Sequence, residues 1–136
     1  MLFIFAVLSS VVAFVAAQGK SSPLPDDAKE ALQYINGAIS ENILWDKSLE
    51  ESARKWVDTP NIVKVDLAIK GKECFKKTDE RSWFIKTITG FEYQINDEYD
   101  KIEALGRAPH FGCGGVLNAQ LTNYDCLTIV CLYRKQ

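Results

Sequence analysis

The sequence predicts an α+β domain in which helices pack on a small antiparallel sheet. Apolar residues recur at helical spacing in two segments, 27–40 and 80–102. Residues 62–70 instead alternate apolar and polar side chains with a period of two, which is typical of a strand with one buried face. Residues 126–133 form a β-branched and largely apolar run, as expected of a central strand.

The first 17 residues are set apart from this domain by their composition. From Leu2 to Ala17 the chain is almost wholly apolar and uncharged, and it ends in small residues before the polar stretch that begins at Gln18. This pattern predicts a signal peptide over residues 1–17, cleaved after Ala17. The alternative is a transmembrane anchor, which needs about 20 apolar residues, and this run is shorter and lacks a flanking basic cluster. We therefore expect a secreted protein without a stable membrane span.

The rest of the chain is predicted to hold one domain. Residues 18–25 are polar and interrupted by prolines, so we interpret them as an N-terminal arm and residues 26–136 as the domain. A chain of this length can bury one core but not two. The net charge is −2, from 16 Lys and Arg against 18 Asp and Glu, and this balance offers no basic face for a nucleic acid.

Local signals predict where two helices begin. Asp27 and Glu30 are spaced as a capping box at the start of the first helix. Asp46 is predicted to cap the second helix. The apolar face of that helix is formed by Leu49, Ala53 and Trp56. Its charged residues are expected to face water: Lys47, Glu50, Glu51, Arg54 and Lys55.

Further along the chain, glycine and asparagine mark predicted breaks. Gly71 is expected to turn the chain after the strand at residues 62–70. Gly90 and Asn96 are the positions where the helical segment 80–102 can divide. After the break at residues 106–109, His110–Cys113 is expected to form a strand near the apolar run at residues 126–133.

The four cysteines all lie after the predicted cleavage site and are expected to form disulfides, since an even count is typical of a small secreted domain. Four cysteines allow three pairings, and their spacing alone does not choose among them. Zinc sites usually show paired C-x-x-C ligands, which are missing here, so we expect neither a metal nor another cofactor. The cysteines are Cys74, Cys113, Cys126 and Cys131.

The sequence offers little of the chemistry that catalysis needs. His110 is the single histidine, and a nucleophilic pair with Cys113 is opposed by the expected disulfide. A serine triad needs a histidine base beside its serine, and metal catalysis usually needs two or three histidines. The acidic clusters are interleaved with Lys and Arg, which is typical of solvated helix surfaces rather than of a glycosidase cleft. We therefore predict no catalytic, cofactor-binding or metal-binding residue, and no enzyme.

The aromatic side chains are expected to pack in the core rather than to line a lipid or peptide groove, because most fall on predicted buried faces. They are Trp45, Trp56, Trp83, Phe84, Phe91, Tyr93 and Tyr99.

Three pieces of the sequence resemble the CAP superfamily, which comprises cysteine-rich secretory proteins, antigen 5 and pathogenesis-related proteins. Ile43–Trp56 is similar to the family's second helix, L-x-W-D-x-x-L-x-x-x-A-x-x-W. Phe111–Gly114 and Val130–Tyr133 resemble the family's closing hairpin, which has the form I-G-C-A … V-C-N-Y. Trp83 lies ahead of that hairpin, where the family often has W-x-x-E.

The resemblance implies a CAP-like α-β-α sandwich closed by a disulfide-stapled C-terminal hairpin. It suggests that Cys113 pairs with Cys131 across the hairpin, which leaves Cys74 to pair with Cys126.

Departures from the family pattern remove its metal site. Asn36 matches one position of the first-helix signature, but Ile35 and Ile39 occupy its outer positions. Neither of the family's metal-binding histidines has a counterpart, and Lys86 stands where a glutamate is expected. The resemblance therefore implies a divergent member of the family. We expect a secreted, non-enzymatic and monomeric protein that binds an extracellular protein or a lipid. The alternatives are a secreted lipid or sterol carrier and a small secreted hydrolase.

Overall fold

The computed structural model of the protein describes residues 21–136. The predicted signal peptide over residues 1–17 and the first part of the predicted arm lie outside the described residues. The helices are α1 Asp26–Ile39, α2 Lys47–Trp56, α3 Trp83–Asn96 and α4 Tyr99–Glu103. The strands are β1 Ser21–Pro23, β2 Leu44–Trp45, β3 Leu67–Lys76, β4 His110–Asn118 and β5 Tyr124–Arg134.

The five strands form one sheet in the order β1-β4-β5-β3, with β2 also paired to β4. The long pairs are antiparallel, and the two-residue strand β2 runs parallel to β4. Strands β1 and β2 share one edge of β4, where β2 lies opposite residues 110–111 and β1 lies opposite residues 116–118. Within the described chain, residues 112–115 therefore have no strand partner on this edge.

The sheet separates two hydrophobic clusters, because side chains alternate between its faces along β5. Ile129, Cys131 and Tyr133 belong to the larger cluster, together with residues of α1, α3 and α4. Val130 and Leu132 pack against the apolar face of α2. Helix α2 thus covers one face of the sheet, and the other three helices cover the opposite face. The predicted α+β class, with helices on a small and mainly antiparallel sheet, is confirmed.

Two disulfides join residues that lie directly opposite each other on neighbouring strands. Cys113 on β4 is bonded to Cys131 on β5, and Cys74 on β3 is bonded to Cys126 on β5. The Cα atoms are 4.1 Å and 4.0 Å apart in the two pairs. Strand β5 is therefore covalently fixed to both of its neighbours. The pairing is the one that the family resemblance suggested.

Helix α2 begins as its sequence predicts. The Oδ1 atom of Asp46 accepts hydrogen bonds from the backbone N–H groups of Ser48 and Leu49. These are two of the amide groups that a helix start leaves without an internal partner. The apolar face predicted for this helix is buried against the sheet.

The capping box predicted for α1 is wrong. The helix begins two residues earlier, with Pro25 in place of Asp27 at the N-cap position, and no side chain caps it. Pro25 precedes it with a φ of −59°, and its carbonyl oxygen accepts hydrogen bonds from the N–H groups of Ala28 and Lys29. The fixed φ of proline starts the first turn here without a side-chain acceptor.

The strand predicted at residues 62–70 lies further along the chain, at Leu67–Lys76, so Gly71 is in its interior and not at a turn. The reason is the close approach of α3. A Cβ on Gly71 would lie 2.4 Å from Oε1 of Gln94, whose Nε2 donates a hydrogen bond to the carbonyl of Lys70. The predicted division of the segment 80–102 is confirmed at Asn96, where α3 ends. It is wrong at Gly90, which lies in the interior of α3, where a Cβ would lie 3.0 Å from the ring of Phe75.

Candidate functional site

His110, at the start of β4, faces a carboxylate rather than a nucleophile. Its Nδ1 atom lies 3.2 Å from Oδ2 of Asp46. The Ser48 hydroxyl donates its hydrogen bond to Asp46 and not to the ring. A serine triad would instead place the hydroxyl against Nε2 of the histidine. The three residues therefore form a helix cap with an added contact between the carboxylate and the imidazole ring.

The same contacts fix the charge of Asp46. The hydrogen bond from Ser48 has the largest effect on the pKa of Asp46 and lowers it. Burial raises this pKa, and the contact with His110 lowers it further. Together they lower the pKa of Asp46 to about 2. Its carboxylate is consequently ionised at neutral pH.

No cluster of three or more His, Cys, Asp or Glu within residues 21–136 is arranged to hold a metal ion. Lys86, which stands where the CAP resemblance would place a glutamate, is buried on α3. Its Nζ atom lies 4.5 Å from the ring centre of Trp83, a cation–π contact.

The aromatic residues divide between core and surface. Phe91 and Trp56 are buried, as predicted. The prediction is wrong for Tyr93, which is 83% exposed, and for Tyr99, because both lie on the solvent-facing sides of their helices. The remaining three, at positions 45, 83 and 84, are half-buried.

A groove of about 300 Å³ opens between β1, the beginning of α1, helix α2 and residues 113–115 of β4. Its floor is formed by Cys113, Gly114 and Gly115. Its walls carry six charged side chains, Asp26 and Lys29 from α1 and Lys47, Glu50, Glu51 and Arg54 from α2. We call this feature the charged groove. Its lining is mixed in sign, with three positive and three negative residues.

Glycines in β4 allow α2 to lie directly against the strand. A Cβ on Gly112 would lie 2.3 Å from the backbone N of Glu50, and one on Gly114 would lie 2.6 Å from the backbone N of Arg54. Both distances are far shorter than van der Waals contact, so only glycine fits without a shift of the helix. The charged residues of α2 at positions 47, 50, 51 and 54 share one helix face, which this packing turns toward the groove.

One side of the charged groove is held by Lys29, Trp45 and Glu50. The Nζ atom of Lys29 lies 3.1 Å from Oε1 of Glu50, and the indole N–H of Trp45 donates a 2.8 Å hydrogen bond to the same oxygen. The Lys29 ammonium also lies 5.2 Å from the ring centre of Trp45. Burial raises the pKa of Glu50, but the hydrogen bonds from Trp45 and Lys29 outweigh it, and the net pKa is below its usual value.

The other four charged side chains of the groove make no ion pair with another residue of the described chain: Asp26, Lys47, Glu51 and Arg54. Two are positive and two are negative, so they can meet a ligand that carries both charges. The sequence reasoning missed this site because it assigned the charged residues of α2 to water. The sequence feature that could have indicated the groove is the run from Gly112 to Gly115. Three glycines in one strand indicate that another backbone segment packs closely against it.

Fold and site together define a small α+β protein with two cross-strand disulfides and a charged groove. A family model described as 15 kDa excretory/secretory protein matches residues 31–135, so the chain belongs to this family. Membership confirms the prediction that the protein is secreted. No curated protein and no solved structure matches the chain. Within residues 21–136, no helix has both the length and the apolar character to cross a bilayer.

This family assignment shows that the predicted membership of the CAP superfamily is wrong. The resemblance depended on patterns that many folds share. The spacing of Leu49, Ala53 and Trp56 places three apolar side chains on one face of any helix that packs on a sheet. A disulfide between opposite residues of two antiparallel strands is equally general, so Cys113 and Cys131 do not identify a family.

Proposed function

We propose that the protein is a secreted, non-enzymatic binding protein that takes a small polar ligand in the charged groove. The supporting observation is the groove itself, in which six charged side chains surround a strand edge that has no strand partner. Concave sites with a few convergent polar groups are the usual binding sites of small ligands, and about 300 Å³ lies at the small end of their range.

The chemistry of the groove favours binding over reaction. Nucleophilic catalysis needs a hydroxyl or thiolate beside a base. The four cysteines are bonded in pairs, and His110 is engaged by Asp46 outside the groove lining. Glu50 is the most buried carboxylate of the groove, and its lowered pKa makes it a poor general acid.

The charged lining also supports a polar ligand over a lipid or sterol. An apolar ligand gains its binding free energy by burying hydrocarbon against hydrocarbon, and charged walls would have to be dehydrated to receive it. The exposed Tyr93 and Tyr99 lie on α3 and α4, on the opposite face of the sheet from α2.

The proposal is tested by nitrogen–proton correlation NMR on protein expressed from the full-length sequence and collected from the medium. Free amino acids, short dicarboxylates, spermidine and a soluble fatty acid are titrated separately. We expect saturable shifts of the backbone amides of Glu50, Glu51, Gly114 and Gly115 with at least one charged compound, while that compound stays chemically intact.

The amides of residues 61–66, which border a separate and more open depression next to Trp56, serve as an internal reference and should not move. Shifts confined to residues 61–66, shifts with the fatty acid only, or conversion of a compound during the titration would each contradict the proposal.

A further inference from the structure

We propose that the open face of β3 binds a sulfated polysaccharide. Three lysines of this strand, Lys70, Lys72 and Lys76, lie in a row on the face of the sheet that α2 covers only in part, and we call them the lysine strip. None of them lines the charged groove, so this second site does not depend on the proposed function.

The alternation of side chains along β3 places the lysine strip on one face of the sheet. Ile69 belongs to the larger hydrophobic cluster, and Leu67 and Phe75 pack against it, so the odd-numbered residues face α1, α3 and α4. The even-numbered residues point to the opposite face. All three lysines are exposed, and the strip is roughly 20 Å long at about 3.3 Å per residue.

The surface around the lysine strip is open. Helix α2 covers the part of this face near Gly114, Val130 and Leu132. Further along β5 on the same face, Thr128 is half-buried and Tyr124 is exposed. Strand β3 is the last strand of the sheet, so no strand of the described chain lies beyond the lysines. An extended polymer can therefore lie along the strip without a change in the fold.

The positive charge of the strip is not compensated by nearby carboxylates. The even-numbered residues of β4 and β5 share this face by register, and none of them is acidic. Glu73, the acidic residue of β3, points toward α3, where its Cγ would lie 3.2 Å from a Cβ on Gly90. Within residues 21–136, none of the three ammonium groups makes an ion pair. A local excess of free cations attracts a polyanion, although the net charge of the whole chain is −2.

A depression of about 310 Å³ lies at one end of the strip and is lined by Lys76, Thr78, Asn123 and Tyr124. Its ammonium, hydroxyl and amide groups can donate hydrogen bonds to the oxygens of a sulfate group. The tyrosine ring offers an apolar surface on which the face of a sugar ring can pack. Since no lining residue is acidic, the depression suits a sulfated sugar.

These features favour a sulfated polysaccharide over an anionic membrane. Stable attachment to a membrane needs apolar groups that enter the lipid as well as basic residues. Between Lys72 and Lys76, the residue of β3 on this face is Cys74, which is held in a disulfide. The protein is also secreted, so it meets polysaccharides outside the cell.

The experiment is an NMR titration of the secreted protein with a heparin hexasaccharide. We expect saturable shifts of the backbone amides of Lys72, Cys74 and Tyr124, while the amides of Glu50 and Glu51 in the charged groove stay unchanged. A hyaluronan hexasaccharide, which carries carboxylates but no sulfates, should bind at least about fivefold more weakly, because each exposed ionic contact contributes up to about a fivefold change in affinity.

Two single variants, Lys72→Gln and Lys76→Gln, should each weaken heparin binding by about two- to fivefold. Each should also reduce the slope of log affinity against log salt concentration by up to about one, because one ionic contact with the polyanion is lost. The matched control is Lys101→Gln, which removes the same charge from α4 on the opposite face of the sheet and should change neither quantity. Equal melting temperatures of the variants exclude a loss of fold as the cause.

An absence of saturable heparin binding, equal binding of hyaluronan, or an equal loss with Lys101→Gln would overturn the inference. Shifts confined to the charged groove would do the same. A last comparison uses vesicles of phosphatidylserine and phosphatidylcholine, and tighter binding to these vesicles than to heparin would assign the strip to a membrane instead.

Discussion

The hydroxyl of Tyr133 on β5 donates a hydrogen bond to the side-chain oxygen of Asn36 on α1, at 2.5 Å and with both residues wholly buried. The side-chain nitrogen of Asn36 in turn donates to the carbonyl of Leu32, at 2.8 Å. This chain of two bonds ties the first helix to the last strand across the larger hydrophobic cluster. Burial raises the pKa of Tyr133 far above its usual value, so the hydroxyl stays a donor.

The substitution Tyr133→Phe should destabilise the protein by about 1–3 kcal/mol, because it leaves the buried oxygen of Asn36 without a donor. Urea unfolding followed by tryptophan fluorescence measures the free energy of unfolding. The control is Tyr93→Phe, which removes the hydroxyl of an 83% exposed tyrosine and should change that free energy little. Similar effects of the two substitutions would contradict the role given to the buried bond.

The substitution Gly114→Ala should destabilise the protein by about 1–3 kcal/mol, since the added methyl group meets the backbone of α2. The matched control is Gly37→Ala in α1, where a Cβ has no neighbour within 4 Å. There the change should stabilise the helix by about 0.5–1 kcal/mol. Thermal unfolding of both variants gives the comparison, and a neutral Gly114→Ala would mean that α2 does not lie against β4 as described.

Removal of the Asp46 side chain that caps α2 should lower the free energy of unfolding. Asp46→Ala should lower the free energy of unfolding by about 1 kcal/mol, because two backbone N–H groups lose their acceptor. Asp46→Asn keeps an acceptor oxygen and should cost less at neutral pH. Denaturant unfolding at pH 7 shows which of the two variants is less stable. A larger loss of unfolding free energy for Asp46→Asn than for Asp46→Ala would contradict the capping role.

Acid should destabilise the folded protein partly by protonating the carboxylate of Asp46. The pKa of Asp46 is about 2 in the folded protein against 3.8 ordinarily, so its stabilising contribution is complete above about pH 4 and is lost as the pH falls through 2. Melting temperatures measured from pH 5 to pH 2 should therefore fall less steeply for Asp46→Asn than for the unsubstituted protein. Parallel curves would show that Asp46 is not the titrating group.

The two disulfides should differ in their access to reductant. Cys74 is exposed, whereas Cys113 and Cys131 are at most 1% exposed. Thiol–disulfide exchange needs access of the attacking thiolate, so brief treatment with a mild reductant followed by alkylation should label positions 74 and 126 first. Mass spectrometry of the labelled peptides gives the order, and early labelling of Cys113 would contradict the burial of that bond.

The sequence predicted those features that depend on local pattern. The cap at Asp46 and the apolar face of α2 follow from residue types at fixed spacing, and the structure has both. The division of the long helical segment at Asn96 was predicted in the same way.

Features set by contacts between distant segments could not be predicted in this way. The sequence predicts a turn at Gly71, because it does not reveal that Gln94 of α3 crosses over this glycine. The charged groove was missed for a related reason. Its walls come from two helices and its floor from a strand more than fifty residues further on, and only the packing of Gly112 and Gly114 against α2 brings them together.

The central claim, that the charged groove is a ligand site, is tested most directly by NMR titration of the secreted protein with small charged compounds. We predict saturable shifts of the backbone amides of Glu50, Glu51, Gly114 and Gly115 with at least one of these compounds. Shifts confined to residues 61–66, or no saturable shift with any charged compound, would contradict the account.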